Sequence, residues 1–108
     1  MCDFKYIHYG SDGFVSACSG CGNFQVSFGG MVMTLTPHDF QVLCHITDFK
    51  CGDLPGPLYD NMKSVFIPTP CPYIYFFLTP HEAIVFSSML EKADNEQKMQ
   101  AMLNLFNK

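Results

Sequence analysis

The 108-residue chain contains no tryptophan and no arginine, and only 15% of its residues are charged. Its six lysines are scattered and face ten acids, giving a net charge of −4. No basic stripe is present to neutralise a phosphate backbone, so the expectation is no nucleic acid partner. No apolar run approaches the ~20 residues that span a bilayer. The opening MCDFKYIHYG lacks the basic and apolar regions of a signal peptide. These absences predict a cytoplasmic protein with no membrane partner.

What the chain lacks in charge it carries in rings and sulfur. Eleven Phe and five Tyr supply a bulky core for a chain that is 48% hydrophobic. At this length one domain is expected, burying roughly two-thirds of its unfolded surface. Seven Met fit adaptable core packing. The six Cys stand out, because a reducing cytosol favours free thiols or metal ligands over disulfides.

The sharpest local signal is FQVSFGGMVMTL at 24–35. Phe24, Val26 and Phe28 alternate with Gln25 and Ser27, and Met31, Met33 and Leu35 alternate with Val32 and Thr34 after the Gly29-Gly30 pair. A two-residue Gly-Gly loop supplies the positive φ angles of a tight hairpin. That turn pairs Phe28 with Met31, Val26 with Met33 and Phe24 with Leu35, putting all six on one face. Upstream, FKYIHY (4–9) and FVSAC (14–18) read as a further strand pair around GSDG. The four segments together predict a meander.

LTPHD at 35–39 recurs as LTPHE at 78–82. Threonine at a helix N-cap accepts from an orphan amide of the first turn, and proline at the first helical position loses no needed donor. An acid at the third position favours the positive end of the dipole and can reach back to the cap amide, more readily as Glu than as Asp. The repeat is therefore a strand-to-helix corner used twice. Apolar stripes follow each corner, through Phe40, Leu43 and Ile46 and through Ala83, Phe86, Met89 and Leu90. SVFI (64–67) and YIYFFL (73–78) suit two more strands. YIYFFL has no polar alternation, so both of its faces should be covered, by helices on one side and by a partner chain on the other. Asp94 and Gln97 form a capping pair for a third helix, separate or kinked, in which Met99, Met102, Leu103 and Phe106 hold helical spacing. The expected fold is α+β: an antiparallel sheet built as a four-strand meander plus a second strand pair, with two or three helices. It forms one domain over 1–108, with halves 1–49 and 64–108 joined by the Gly- and Pro-rich 50–63. The shared strand–strand–corner–helix order raises an internal β-β-α pseudo-duplication.

CSGCG at 18–22 has the form of a zinc knuckle, two thiolates flanking a tight turn. Zinc needs four ligands, so one pair is half a site. Partner numbers in an antiparallel hairpin have a constant sum. Extending the Gly-Gly hairpin sets Cys21 beside His38. Extending the first hairpin sets Cys18 opposite Lys5 and Cys2 near Cys21. Cys2, Cys18, Cys21 and His38 thus fall at one end of the meander as candidate zinc ligands. His81 is the rival for the fourth position if the two corners lie side by side. Cys44 reads as core, and Cys51 and Cys71 lie too far along the strands to join. The competing reading is reduced, metal-free thiols packed as small hydrophobes, with His38 and His81 as ordinary exposed first-turn residues.

Those residues carry a resemblance. The Met-Cys start, CSGC, FQVSFGG and MVMTLTPHDF are similar to a family of short cytosolic Bacteroidetes proteins of unassigned function. The match covers mainly residues 1–49, and the second half fits only as strand followed by capped helix. Gly30 stands where asparagine is expected, a difference a tight turn tolerates. The resemblance implies Cys2, Cys18 and Cys21 as a set and brings no activity with it.

The leading expectation is a small non-catalytic domain, zinc-stabilised, acting through protein–protein contacts or self-association. The alternative is a thiol oxidoreductase or redox sensor using Cys18 and Cys21. It is weakened because the motif opens a strand, where no helix dipole lowers the thiol pKa. A third class is a ligand-binding module with an aromatic pocket under YIYFF.

Overall fold

The computed structural model describes residues 3–54 and 61–106. Its architecture is α+β. Four strands, β1 (Phe4–Tyr9), β2 (Gly13–Cys18), β3 (Phe24–Phe28) and β4 (Met31–Leu35), form one antiparallel sheet in sequential order. Helix α1 (Pro37–Cys51) follows, then a separate two-stranded antiparallel sheet of β5 (Val65–Pro68) and β6 (Tyr75–Leu78), then helix α2 (Pro80–Phe106). The connection expected at 50–63 lies partly outside the described residues, and its first two residues instead finish α1.

The Gly-Gly hairpin has the expected register, with Phe24, Val26 and Phe28 opposite Leu35, Met33 and Met31. Gly29 and Gly30 have φ of 62° and 81°, values a residue with a Cβ adopts only at a cost. The first hairpin departs from a constant sum. Tyr9 pairs with Phe14 and His8 with Val15, but the register then shifts, so Cys18 faces Phe4 and not Lys5. A bulge absorbs Ile7, two residues on one strand opposing one on the other. Its effect is to turn Tyr6 and Tyr9, three apart, to the same outer face. Both pack near Phe14: the Tyr6 ring lies edge-on to Tyr9 at 5.0 Å and to Phe14 at 5.2 Å, while Tyr9 stacks on Phe14 at 6.4 Å.

Both corners are capped as their residues dictate. Thr36 Oγ1 accepts from the Asp39 amide at 3.1 Å. At the second corner the exchange is reciprocal: Glu82 N–H donates to Thr79 Oγ1 at 3.0 Å, and Thr79 N–H donates to Glu82 Oε1 at 2.8 Å. The extra methylene of Glu closes the box that Asp39 leaves half made. Lys63 also pairs with Glu82, and these partners hold its carboxyl below the ordinary value, Lys63 contributing most.

Residues from both halves share one hydrophobic core. Phe24 stacks on Phe40 at 4.2 Å, fixing the first turn of α1 over β3. Phe86 of α2 lies 4.7 Å from both Phe28 and Phe76, joining the two sheets.

The third helix predicted from Asp94 and Gln97 does not exist as a separate element; α2 runs unbroken for 27 residues. Asp94 turns sideways instead of capping. Its carboxylate accepts from Gln41 Nε2 of α1 at 2.9 Å and from Lys98 Nζ at 2.8 Å. Burial alone would raise its pKa, but those two donors outweigh it and the net shift is downward. With the carboxylate satisfied by side chains, the backbone of α2 passes through Asp94 uninterrupted.

Thr79→Ala is expected to lower unfolding free energy by about 1 kcal/mol, measured by chemical denaturation. Because the folded-state pKa of Glu82 lies below its ordinary 4.5, its stabilisation is complete above that value and lost as pH falls through the native pKa. The stability gap between wild type and Glu82→Gln should therefore be widest near neutrality and close in acid.

Candidate functional site

The thiol turn is built where β2 ends. Cys18 N–H donates to Asn23 O at 2.9 Å, and Gly22 N–H donates to Cys18 O at 2.8 Å. Gly22 makes this closure possible with φ of 80°. The turn curls its amides inward, and Cys21 N–H reaches Cys18 Sγ at 3.5 Å. Cys18 is 2% exposed, whereas Cys21 is exposed. The Cys18 pKa is lowered to about 6, first by the Cys21 amide, against an opposing effect of burial, then by the Asp3 amide, the Cys21 side chain and the Gly20 amide.

A low thiol pKa commonly draws on a helix N-terminus, and the thiol turn opens a strand. The turn does that work with its own backbone dipoles, an anion-binding nest at the sulfur. The legible signal was the glycine at 20 and 22 of CSGCG, which lets successive amides point one way.

The expected meeting of the thiol turn with the first corner is present. A Cβ at Gly22 would stand 3.7 Å from Pro37 Cγ, so the turn packs on the first residue of α1. His38, in that same first turn of α1, is exposed. Cys2 lies outside the described residues. The backbone amide of its covalent neighbour Asp3 contributes to lowering the Cys18 pKa.

His81 lies elsewhere. It lines a groove with Ser11, Asp12, Gly29 and Gly30, beside the hairpin turn and a strand length, about 17 Å, from the thiol end. The two corners are thus at opposite ends of β3 and β4, which removes His81 as a partner for Cys18. Cys44 is half-buried between the helices, and burial with the neighbouring Asp94 charge pushes its pKa up to about 12. Cys51 donates to Ala83 O at 3.3 Å, and Cys71 packs against the core. Among the described residues, no three His, Cys, Asp or Glu side chains come together as a group able to hold a metal ion.

A polar groove of about 270 Å³ separates α1 from α2, lined by Gln41, Cys44, His45, Asp48, Asp94 and Lys98 among others. Its central charges are satisfied by each other through the Gln41–Asp94–Lys98 links. Its one thiol is protonated at neutral pH. The arrangement offers no activated nucleophile.

The two faces of β5 and β6 divide sharply. Val65, Ile67, Phe76 and Leu78 are buried, and the space beneath them is filled by Phe28 and Phe86. The outer residues Phe66, Tyr75 and Phe77 are exposed and lie against each other, Phe66 stacking on Phe77 at 4.6 Å. Tyr73, in the connecting turn, is 97% exposed and holds φ at 68°. A bulky residue in that region carries strain of order 1–3 kcal/mol.

Comparison with protein-family models, with curated proteins and with solved structures returned no match. Among the described residues no helix is long and apolar enough to cross a membrane.

Gly22→Ala forces a side chain into the left-handed region and is expected to cost about 1–2 kcal/mol. In metal-free protein, thiolate absorbance should show a group ionising near pH 6. That early titration should vanish in Cys18→Ser and shift upward in Gly22→Ala.

Proposed function

We propose that this chain is a non-catalytic interaction domain whose thiol turn is stabilised by zinc bound to Cys2, Cys18, Cys21 and His38. The observation that carries the reading is the amide-lined sulfur of Cys18, close to an exposed Cys21 in a turn whose Gly22 packs on Pro37, the residue before His38. Zinc takes thiolate, not thiol, and amides donating to a coordinating sulfur orient it and balance its charge. Bound there, zinc would tie the start of the chain to β2 and to α1. Protein contacts supply the role, because aromatic surface remains uncovered on β5 and β6 while the polar groove holds no activated group.

Protein purified without chelator should carry one zinc per chain. Cys2→Ser, Cys18→Ser and Cys21→Ser should each abolish it, His38→Ala should weaken it, and Cys71→Ser should retain it. Absence of zinc together with six freely reactive thiols would end this reading.

The redox alternative is favoured by one specific observation, the stabilised Cys18 thiolate. In that case metal-free protein would form a reversible disulfide between Cys18 and Cys21. Mass measurement after thiol alkylation distinguishes the two outcomes.

A further inference from the structure

Helix α2 changes character along its length. Up to Ala93 it buries Ala83, Phe86, Met89, Leu90 and Ala93 against the body. At 3.6 residues per turn the same row continues through Gln97, Gln100 and Asn104, all polar. Met99, Met102, Leu103 and Phe106 lie roughly 150° round the helix from that row. Their exposures are 56%, 58%, 49% and 79%. The stripe is therefore turned away from the body that carries it, and the chain's own sheets cannot cover it.

We infer that two copies of this chain associate through this stripe, their α2 helices antiparallel about a two-fold axis between Met102 and Leu103. The spacing matches itself under that operation. Met99 faces Phe106 of the second copy, Met102 faces Leu103, and each contact occurs twice, as an isologous interface requires. The body-facing row of each helix points away from the seam, so the two bodies stand on the outside without collision.

Residues 99–106 contain no charged side chain. Two chains of net charge −4 thus meet through surface that adds no like-charge repulsion, and nothing in the stripe calls for a partner of opposite charge. A membrane surface would be met by a helix whose polar face is rich in Lys or Arg, and this segment has neither. Two stripes together remove on the order of 1,000 Å² from water, the low end for a specific interface. A concentration-dependent dimer is the consequence.

The inference rests on the interaction role proposed above and is independent of zinc. Sedimentation velocity of the full chain in reductant tests it, from low to high micromolar concentration. The mass should move from the 12.2 kDa monomer toward twice that value. Leu103→Glu should weaken association roughly a hundredfold or more, since both copies lose an apolar contact. Far-UV circular dichroism and zinc content should stay as in wild type, because the residue is exposed. Phe66→Glu, on the outer aromatic face, should dimerise like wild type. A chain monomeric at every concentration overturns the inference and leaves the zinc reading standing. A dimer that survives Leu103→Glu but not Phe66→Glu overturns it in favour of the β5–β6 face.

Discussion

Phe28, Phe76 and Phe86 meet within 6.5 Å of one another, and the rest of the molecule depends on that contact. One ring comes from the four-stranded sheet, one from the two-stranded sheet and one from α2. Among the described residues no strand pairing links the two sheets, so side-chain packing sets their relation. Packing of this kind is dense and intolerant of lost volume. With the triangle in place, α2 lies over both sheets and presents Asp94 to Gln41, which in turn holds α1. The capped corners then need only direct each helix out of its strand.

At the other end of β3, the stack of Phe24 on Phe40 does a smaller version of the same task. It pins the first turn of α1 beside the thiol turn, so that Gly22 rests on Pro37. The chemistry of Cys18 follows from this framing. Cys44, half-buried beside the Asp94 charge, resists ionisation. Cys18 is more fully enclosed, yet its sulfur faces backbone amides, and their dipoles reverse the direction of the shift. Two cysteines of one chain thus reach opposite states through the polarity of their immediate neighbours.

Much of this was legible in the residues. The Gly-Gly hairpin, its register and both corners follow from alternation and capping, which are local and leave little choice. The half-closed box at Asp39 and the closed one at Glu82 differ by the methylene that separates the two acids. What was not legible depends on distant partners. The bulge at Ile7 exists because Tyr6 and Tyr9 both pack near Phe14 on the outer face, a demand that strict alternation does not encode. Asp94 reads as a cap until Gln41, fifty-three residues away, is placed beside it. The amide nest at Cys18 was missed for a related reason: residue types reveal helix dipoles more readily than the orientation of peptide groups in a four-residue turn. Among the candidate ligands, Cys18 and Cys21 share a turn whose Gly22 packs on Pro37 of the first corner, His81 lies at the far end, and Cys2 is beyond the described residues.

The Asp94 side chain marks where α2 passes from one allegiance to another. Before it, every buried position answers to the core; after it, the apolar positions are exposed. A single residue gained or lost between Gln97 and Met99 would swing the distal stripe by about 100° while leaving each buried side chain of α2 at its station. Drift in the length of one helix can therefore re-aim an exposed apolar stripe without touching the way the domain folds.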